Sequence, residues 1–313
     1  MLTLRGPPPF RRCCLVTGGA GFMGSYLVQQ LDAVARAMGG GAEVHYLDIA
    51  SPRPDMPALR RSTFHLCSLV DPAALEALFR ALRPDTVFHC ASIVDCRPRP
   101  VPILDEVNVG GTALVLELCR RHGAERLVYT SSIEVTYHHN RCEGVDESCP
   151  YPEHPTQGYQ RTKIAAEKLV LDAHRPGQLA TCSLRPGHIW GAGDDLFFLS
   201  KVAACFGPSR WPSLGSAEAA PMSMVHVENM AATHLLAAQR LREEEGQRRQ
   251  AVGGEAFNVA DHSQNIVSLY SEAAGAVGPM VTLPYWLLFV LVRCAVALSS
   301  ASLAPRLPSA GQS

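Results

Sequence analysis

The sequence predicts an α/β fold built on a doubly wound parallel sheet. Three observations carry that prediction. A glycine-rich turn stands between a short apolar run and an amphipathic run at 13–38, and strand-like and helix-like periods then alternate as far as residue 185. With 313 residues, 47% of them hydrophobic, the chain can also bury a sizeable core. Such alternation is what βαβ units with helices on both sheet faces require.

Each element has its own local signal. Cys13–Thr17 (CCLVT) reads as a strand, and from Tyr26 the apolar positions Leu27, Val28, Leu31, Val34, Ala35 and Met38 recur at helical spacing. Gly39, Gly40 and Gly41 end that helix, and Val44–Ile49 closes the first βαβ unit, for which a right-handed crossover is expected. Thr63–Leu66 reads as a weak strand, Pro72–Leu82 as a helix with proline at its start, and Thr86–Ala91 as a strand. Helix at Val109–His122, strand at Arg126–Ser131, helix at Tyr159–Ala173 and strand at Cys182–Arg185 complete the pattern. Beyond it the regularity loosens. The spacing divides the chain into a doubly wound domain at 13–186, an interleaved region with the last sheet elements at 187–280, and an apolar segment at 281–304.

Composition excludes several functions. Lys plus Arg number 28 against 29 Asp plus Glu, so there is no basic surface for a phosphate backbone and no nucleic-acid partner is expected. The eleven cysteines are scattered without a C-x-x-C, which reads as free thiols in a reducing compartment and neither a disulfide framework nor a zinc site. His138 and His139 lack further ligands at metal-binding spacing, so no metal is expected. Met1–Arg12 holds three arginines and three prolines without an apolar run, unlike a signal peptide.

Gly18, Gly21 and Gly24 lie at G-x-x-G-x-x-G spacing between a strand and a helix. Gly18 permits the tight turn, Gly21 lets backbone approach a pyrophosphate, and Gly24 lets the helix pack on the sheet. The helix N-terminus at Phe22 and Met23 offers N–H groups to the phosphates. Asp48, at the end of the second strand, suits the adenosine ribose hydroxyls and repels a 2′-phosphate, which favours NAD over NADP, although Arg53 stands nearby. Ala91 and Pro186, at the ends of later strands, complete the candidate cofactor contacts.

Tyr159 and Lys163 stand four residues apart at a helix start, so both side chains project from one face. A phenol of reference pKa about 10 is a poor base at neutrality, but a neighbouring ammonium favours its phenolate. Tyr159 can then exchange a proton with a substrate hydroxyl. Ser132, at the carboxyl end of a strand, can hydrogen-bond the same oxygen.

TGGAGFMG at 17–24, VNVGGT at 107–112, YTSSIEV at 129–135, YQRTK at 159–163 and LRPGHIWGAGD at 184–194 together resemble the extended short-chain dehydrogenase/reductase superfamily. HVEN at 226–229, FNVADHS at 257–263 and LPYWLLFVL at 283–291 narrow the resemblance to the 3β-hydroxysteroid dehydrogenase/Δ5-4 isomerase family. The resemblance covers roughly 13–298. It implies a Rossmann-type domain with a small C-terminal substrate region, and NAD-dependent oxidation of the 3β-hydroxyl of a steroid or sterol, with Δ5-4 isomerisation open. It also implies Ser132, Tyr159 and Lys163 as catalytic residues and Asn108 as a supporting structural or proton-relay residue. One departure is Cys67-Ser68, where the superfamily usually has Gly-Asp with the Asp recognising adenine.

Leu283–Leu298 is sixteen residues with the single charge Arg293 and a Pro-Tyr-Trp entry. A spanning helix needs about 20 apolar residues, so span, re-entrant insertion and buried core all stay open, and Tyr285 and Trp286 suit a headgroup-level anchor. With the resemblance, the expectation is the endoplasmic reticulum membrane with the catalytic part facing cytosol, or the cytoplasm if the segment is core. Expected partners are a steroid or sterol, a membrane surface and, in a homodimer, a second copy. Two other readings stay open. A nucleotide-sugar epimerase or dehydratase shares the loop and the Tyr-Lys pair, but residues 195–225 and 280–300 are chiefly apolar, as a steroid pocket is. A non-catalytic NAD-binding scaffold gains from Cys67-Ser68 and from the chain stopping soon after its apolar segment.

Overall fold

The computed structural model describes residues 7–54, 56–94, 102–138, 144–155, 158–193, 222–244 and 251–264, together with the backbone of 212–214 and 281–283. Seven strands form one sheet: β1 (Cys13–Thr17), β2 (Glu43–Asp48), β3 (Ser62–Leu66), β4 (Thr86–His89), β5 (Arg126–Thr130), β6 (Ala180–Pro186) and β10 (Ala256–Val259). Their order is β10-β6-β5-β4-β1-β2-β3, and the paired strands run parallel. The order reverses beside β1, and ligands of open α/β sheets bind in the crevice at the strands' carboxyl ends at such a switch point.

Helices cover both faces. On one, α1 (Phe22–Met38) and α5 (Val227–Glu243) bury Leu27, Val28, Leu31, Met230 and Leu235 against Val16, Phe88 and Val128. On the other, α2 (Pro72–Leu82), α3 (Gly111–His122) and α4 (Gly158–Asp172) bury Phe79, Val115, Leu116 and Val170 against Leu15, Val87 and Leu127. With helices on both faces, β1, β4 and β5 are buried at every position. Local signals set the ends: Asp71 caps α2 through the Ala74 N–H at 3.0 Å with Pro72 at its first position, and Gly123 ends α3 at φ 76°.

The structure differs from the sequence expectation ahead of α3. The helical segment begins with Pro102–Leu104, passes through a π-helical stretch at Asp105–Gly110 and only then becomes α3. A π stretch shifts the hydrogen-bond step by one residue, so a 3.6-residue period is visible only in the α-helical turns C-terminal to it.

Two compact units are present. Met1–Asp194 with Ser223–Ser263 form the first, which also holds most of a small sheet of β7 (His188–Trp190), β9 (Met222–His226) and β11 (His262–Gln264), ordered β11-β9-β7. Asp195–Met222 with Gln264–Ser313 form the second, in which β8 (Pro212–Leu214) and β12 (Val281–Leu283) pair in parallel. Beyond Leu283, the apolar segment lies outside the described residues. Among the described residues, no helix is long and apolar enough to cross a membrane.

Candidate active site

The cofactor cradle begins where β1 ends. Gly18 holds φ 70°, and a Cβ there would lie 2.7 Å from the Ala91 Cα, so the turn and its contact with the end of β4 both require glycine. A Cβ on Gly24 would strike the Gly18 carbonyl, which fixes how closely α1 approaches the loop. Gly21, the N-cap of α1, brings no capping side chain, and among the described residues, its chain neighbours aside, a Cβ on it would meet only the Gly18 carbonyl oxygen, at 3.3 Å. With no acidic residue in its first turn either, the helix start at Phe22 and Met23 suits an anion. The cradle therefore fits a dinucleotide pyrophosphate.

Asp48 stands at the end of β2. One carboxylate oxygen accepts the Ala20 N–H at 3.1 Å, and the other accepts the N–H groups of Ile49 at 2.7 Å and Ala50 at 3.3 Å. It thereby ties the glycine loop to β2, with acceptor capacity left for ribose hydroxyls. Arg53 donates to the Gly193 carbonyl at 2.7 Å, and Tyr26 donates to the neighbouring Ala192 carbonyl at 2.9 Å. Ala91 donates its N–H to Thr17 Oγ1 at 3.2 Å, and Pro186 pairs with Val259 at the end of β6. At the Cys67-Ser68 departure, Ser68 Oγ accepts the Val70 N–H at 3.3 Å.

Ser132 stands just after β5 and caps a short 3₁₀ turn, Ile133–Thr136, its hydroxyl oxygen accepting the Glu134 N–H at 3.2 Å. Tyr159 and Lys163 lie one turn apart on α4, 7% and 2% exposed. The Lys163 ammonium donates to the Thr130 carbonyl at 2.7 Å and to the Tyr129 hydroxyl at 3.2 Å, and lies 5.9 Å from the centre of the Tyr159 ring. Burial pulls its pKa down to about 7, against the opposing pull of Cys90 and Glu167. Asn108, 1% exposed in the π stretch, donates to the Ile93 carbonyl and Thr162 Oγ1 and accepts from the Ile93 N–H and Ser92 Oγ. Its amide thus joins the chain after β4 to α4, next to Lys163.

Several residues escaped the sequence reading. Gln160 donates to the carbonyls of Glu134 at 2.8 Å and Tyr137 at 2.7 Å, stapling the Ser132 turn to the start of α4. His89, buried, meets Thr17 Oγ1 at 2.7 Å and Thr112 Oγ1 at 2.9 Å. Thr112 gives its own proton to the Asn108 carbonyl, so His89 Nε2 donates and Nδ1 accepts. Burial, with Lys163 adding to it, holds this imidazole neutral by lowering its pKa to about 3. One turn beyond Lys163, the fully buried Glu167 receives Arg185 Nη2 at 2.8 Å, Ser183 Oγ at 2.7 Å and the Tyr151 hydroxyl at 2.8 Å. These buried polar side chains had no local spacing to betray them.

A parallel sheet in this order with a glycine cradle at its switch point is a Rossmann-type dinucleotide fold, and the family match places it among the extended short-chain dehydrogenase/reductases. The model of the 3-beta hydroxysteroid dehydrogenase/isomerase family matches residues 15–271, and the chain belongs to that family. It is 32% identical over 258 residues to the decarboxylating sterol-4-alpha-carboxylate 3-dehydrogenase of Saccharomyces cerevisiae, covering 79% of this chain and 70% of that protein. It is also 32% identical over 246 residues to short-chain dehydrogenase/reductase family 42E member 1 of Bos taurus, where the match covers 74% of this chain but 59% of the relative's length. Among solved structures, the Thermus thermophilus UDP-glucose 4-epimerase in complex with NAD superposes with a TM-score of 0.66 at 28% identity, covering 87% of this chain and 86% of that one.

Proposed function

We propose that the protein oxidises the 3β-hydroxyl of a sterol or steroid with NAD. The observation that carries the reading is the Lys163 ammonium set against the Tyr159 ring, on a helix stapled by Gln160 to the turn that Ser132 caps. The family and the yeast relative's name support a sterol 3-hydroxyl as the group attacked. When bound, the nicotinamide supplies the hydride acceptor.

The chain's own residues handle the proton and the oxygen. Ser132 offers its hydroxyl to the substrate oxygen, and Tyr159 takes that oxygen's proton. The Lys163 charge favours the tyrosinate that does so. Gly18, Gly21, Gly24, Phe22 and Met23 hold the pyrophosphate, and Asp48 holds the adenosine ribose. A substrate carrying a 4-carboxylate would become a β-keto acid on oxidation, which loses carbon dioxide readily, so decarboxylation needs no further group from the protein.

The test is NADH formation by the purified chain with 3β-hydroxy-Δ5-steroids, a 3β-hydroxy-4α-carboxysterol and UDP-sugars. Turnover is expected with a sterol-type substrate, and conjugated-enone absorbance reports any isomerisation. Tyr159→Phe should abolish turnover and leave NAD binding within a few-fold, since it keeps the ring and removes the proton-exchanging oxygen. Turnover of UDP-sugars alone, or a Tyr159→Phe rate within a few-fold of the parent, overturns the proposal.

A further inference from the structure

We propose that Tyr129 is a positioning residue for Lys163, its hydroxyl accepting from the buried ammonium and its ring lying beneath the charge, so that the lysine stays protonated beside Tyr159. The inference rests on the oxidoreductase reading. Tyr129 is the fourth residue of β5, three positions ahead of Ser132, and is 1% exposed. Its hydroxyl is 3.2 Å from Lys163 Nζ, which also lies 4.8 Å from the ring centre. The His89 ring packs against the phenol, with centroids 5.5 Å apart and planes tilted by 31°.

The surroundings explain why the ammonium needs this help. From α4 it is faced by Tyr159 and by Glu167, whose charge is shared with Arg185 of β6. From the end of β4 it is faced by Cys90 and by neutral His89. Burial disfavours the charge, and the Thr130 carbonyl and the Tyr129 hydroxyl accept its protons. Asn108 does not serve it directly, because its amide is engaged by Ile93, Ser92 and Thr162. A hydrogen bond from an ammonium is roughly twice as strong as one between neutral partners, so deleting the hydroxyl costs the charged lysine more than the neutral amine. Burial also holds the Tyr129 phenol well above its ordinary range, with Tyr159 and Glu167 acting the same way, so it stays a neutral acceptor.

The sequence makes the test direct, since Lys163, Lys168 and Lys201 are the three lysines of the whole chain. In the 313-residue chain labelled with ε-13C lysine, three side-chain signals are expected, assigned with Lys168→Arg and Lys201→Arg. Tyr129→Phe keeps the ring and should move the Lys163 midpoint of the cofactor-free protein down by about one pH unit. In the enzyme assay kcat should fall about ten-fold with KM little changed, and the alkaline edge of kcat should move to lower pH with the lysine midpoint. Replacement of Tyr129 by 3-fluorotyrosine, which keeps the ring and the hydroxyl in place but makes its oxygen a weaker acceptor, should give a smaller shift and also serves if the phenylalanine variant fails to fold. An unmoved Lys163 midpoint in folded Tyr129→Phe, or equal shifts in both variants, overturns the proposal. Absence of sterol turnover in the parent chain overturns the oxidoreductase reading instead, and the lysine titration separates the two failures.

Discussion

The buried pair Glu167–Arg185 should behave as a coupled unit in a double-mutant cycle. Glu167 is fully buried and Arg185 is 4% exposed, and the guanidinium meets the carboxylate through Nε at 3.0 and 3.2 Å and Nη2 at 2.8 Å. Removing one partner leaves an uncompensated buried charge, so Arg185→Met and Glu167→Leu should each cost about 3–5 kcal/mol. The double variant orphans the hydroxyls of Ser183 and Tyr151 but leaves neither charge of the pair behind. Its cost should therefore be about 2–4 kcal/mol, well below the sum of the single losses. Urea unfolding followed by circular dichroism measures all three. Additivity within about 0.5 kcal/mol would refute the reasoning, because independent sites behave that way.

The same pair predicts an acid limit. Burial alone would raise the Glu167 pKa, but hydrogen bonds from Arg185 and Ser183 and the Arg185 charge outweigh it, and the net direction is down. A carboxyl depressed in the folded state contributes stability that is complete above its unfolded pKa of about 4.3 and is lost as pH falls through the folded value. Stability in the parent should thus fall more steeply with acid than in the double variant. On the cofactor side, Asp48→Ala should weaken NAD binding and narrow its advantage over NADP, read by fluorescence titration; equal affinities in the unmodified chain would remove the assignment of Asp48. Asn108→Leu should destabilise the fold by about 2–4 kcal/mol, since it orphans the Ile93 backbone groups and the Thr162 hydroxyl together. An unfolding curve unchanged from the parent, with activity lost, would instead assign that side chain to proton transfer.

The sheet and the cofactor loop were legible because their code is local. Strand β1 matches Cys13–Thr17 and α2 matches Pro72–Leu82 residue for residue, since an apolar run, a proline and turn glycines act on their neighbours. Tyr159 and Lys163 announced themselves by spacing on one helix face. Their support did not. His89 bonds Thr17 across 72 positions and His234 bonds Thr130 across 104, and neither residue type nor spacing foretells such partners. A lone buried histidine reads the same whether it is a ligand, a base or a strut, until its two ring nitrogens are accounted for.

Strand β5 shows how those struts serve the lysine. Alternation sends adjacent side chains to opposite faces, so Tyr129 enters the layer beneath α4 while Thr130 turns toward α5. There the Thr130 hydroxyl meets His234 Nε2 at 2.7 Å, and His234 Nδ1 meets the Met230 carbonyl at 2.8 Å. A carbonyl can only accept, so Nδ1 carries the proton and Thr130 donates to Nε2. This fixes Thr130 at the point where its carbonyl receives Lys163. Burial lowers the His234 pKa to about 4 and keeps that ring uncharged, as it does His89 on the other face. Both imidazoles behind the site are therefore neutral at physiological pH, and the Arg185 charge is met by Glu167. Among the described residues, the positive charge beside Tyr159 is then that of Lys163, which favours a phenol giving up its proton near neutrality.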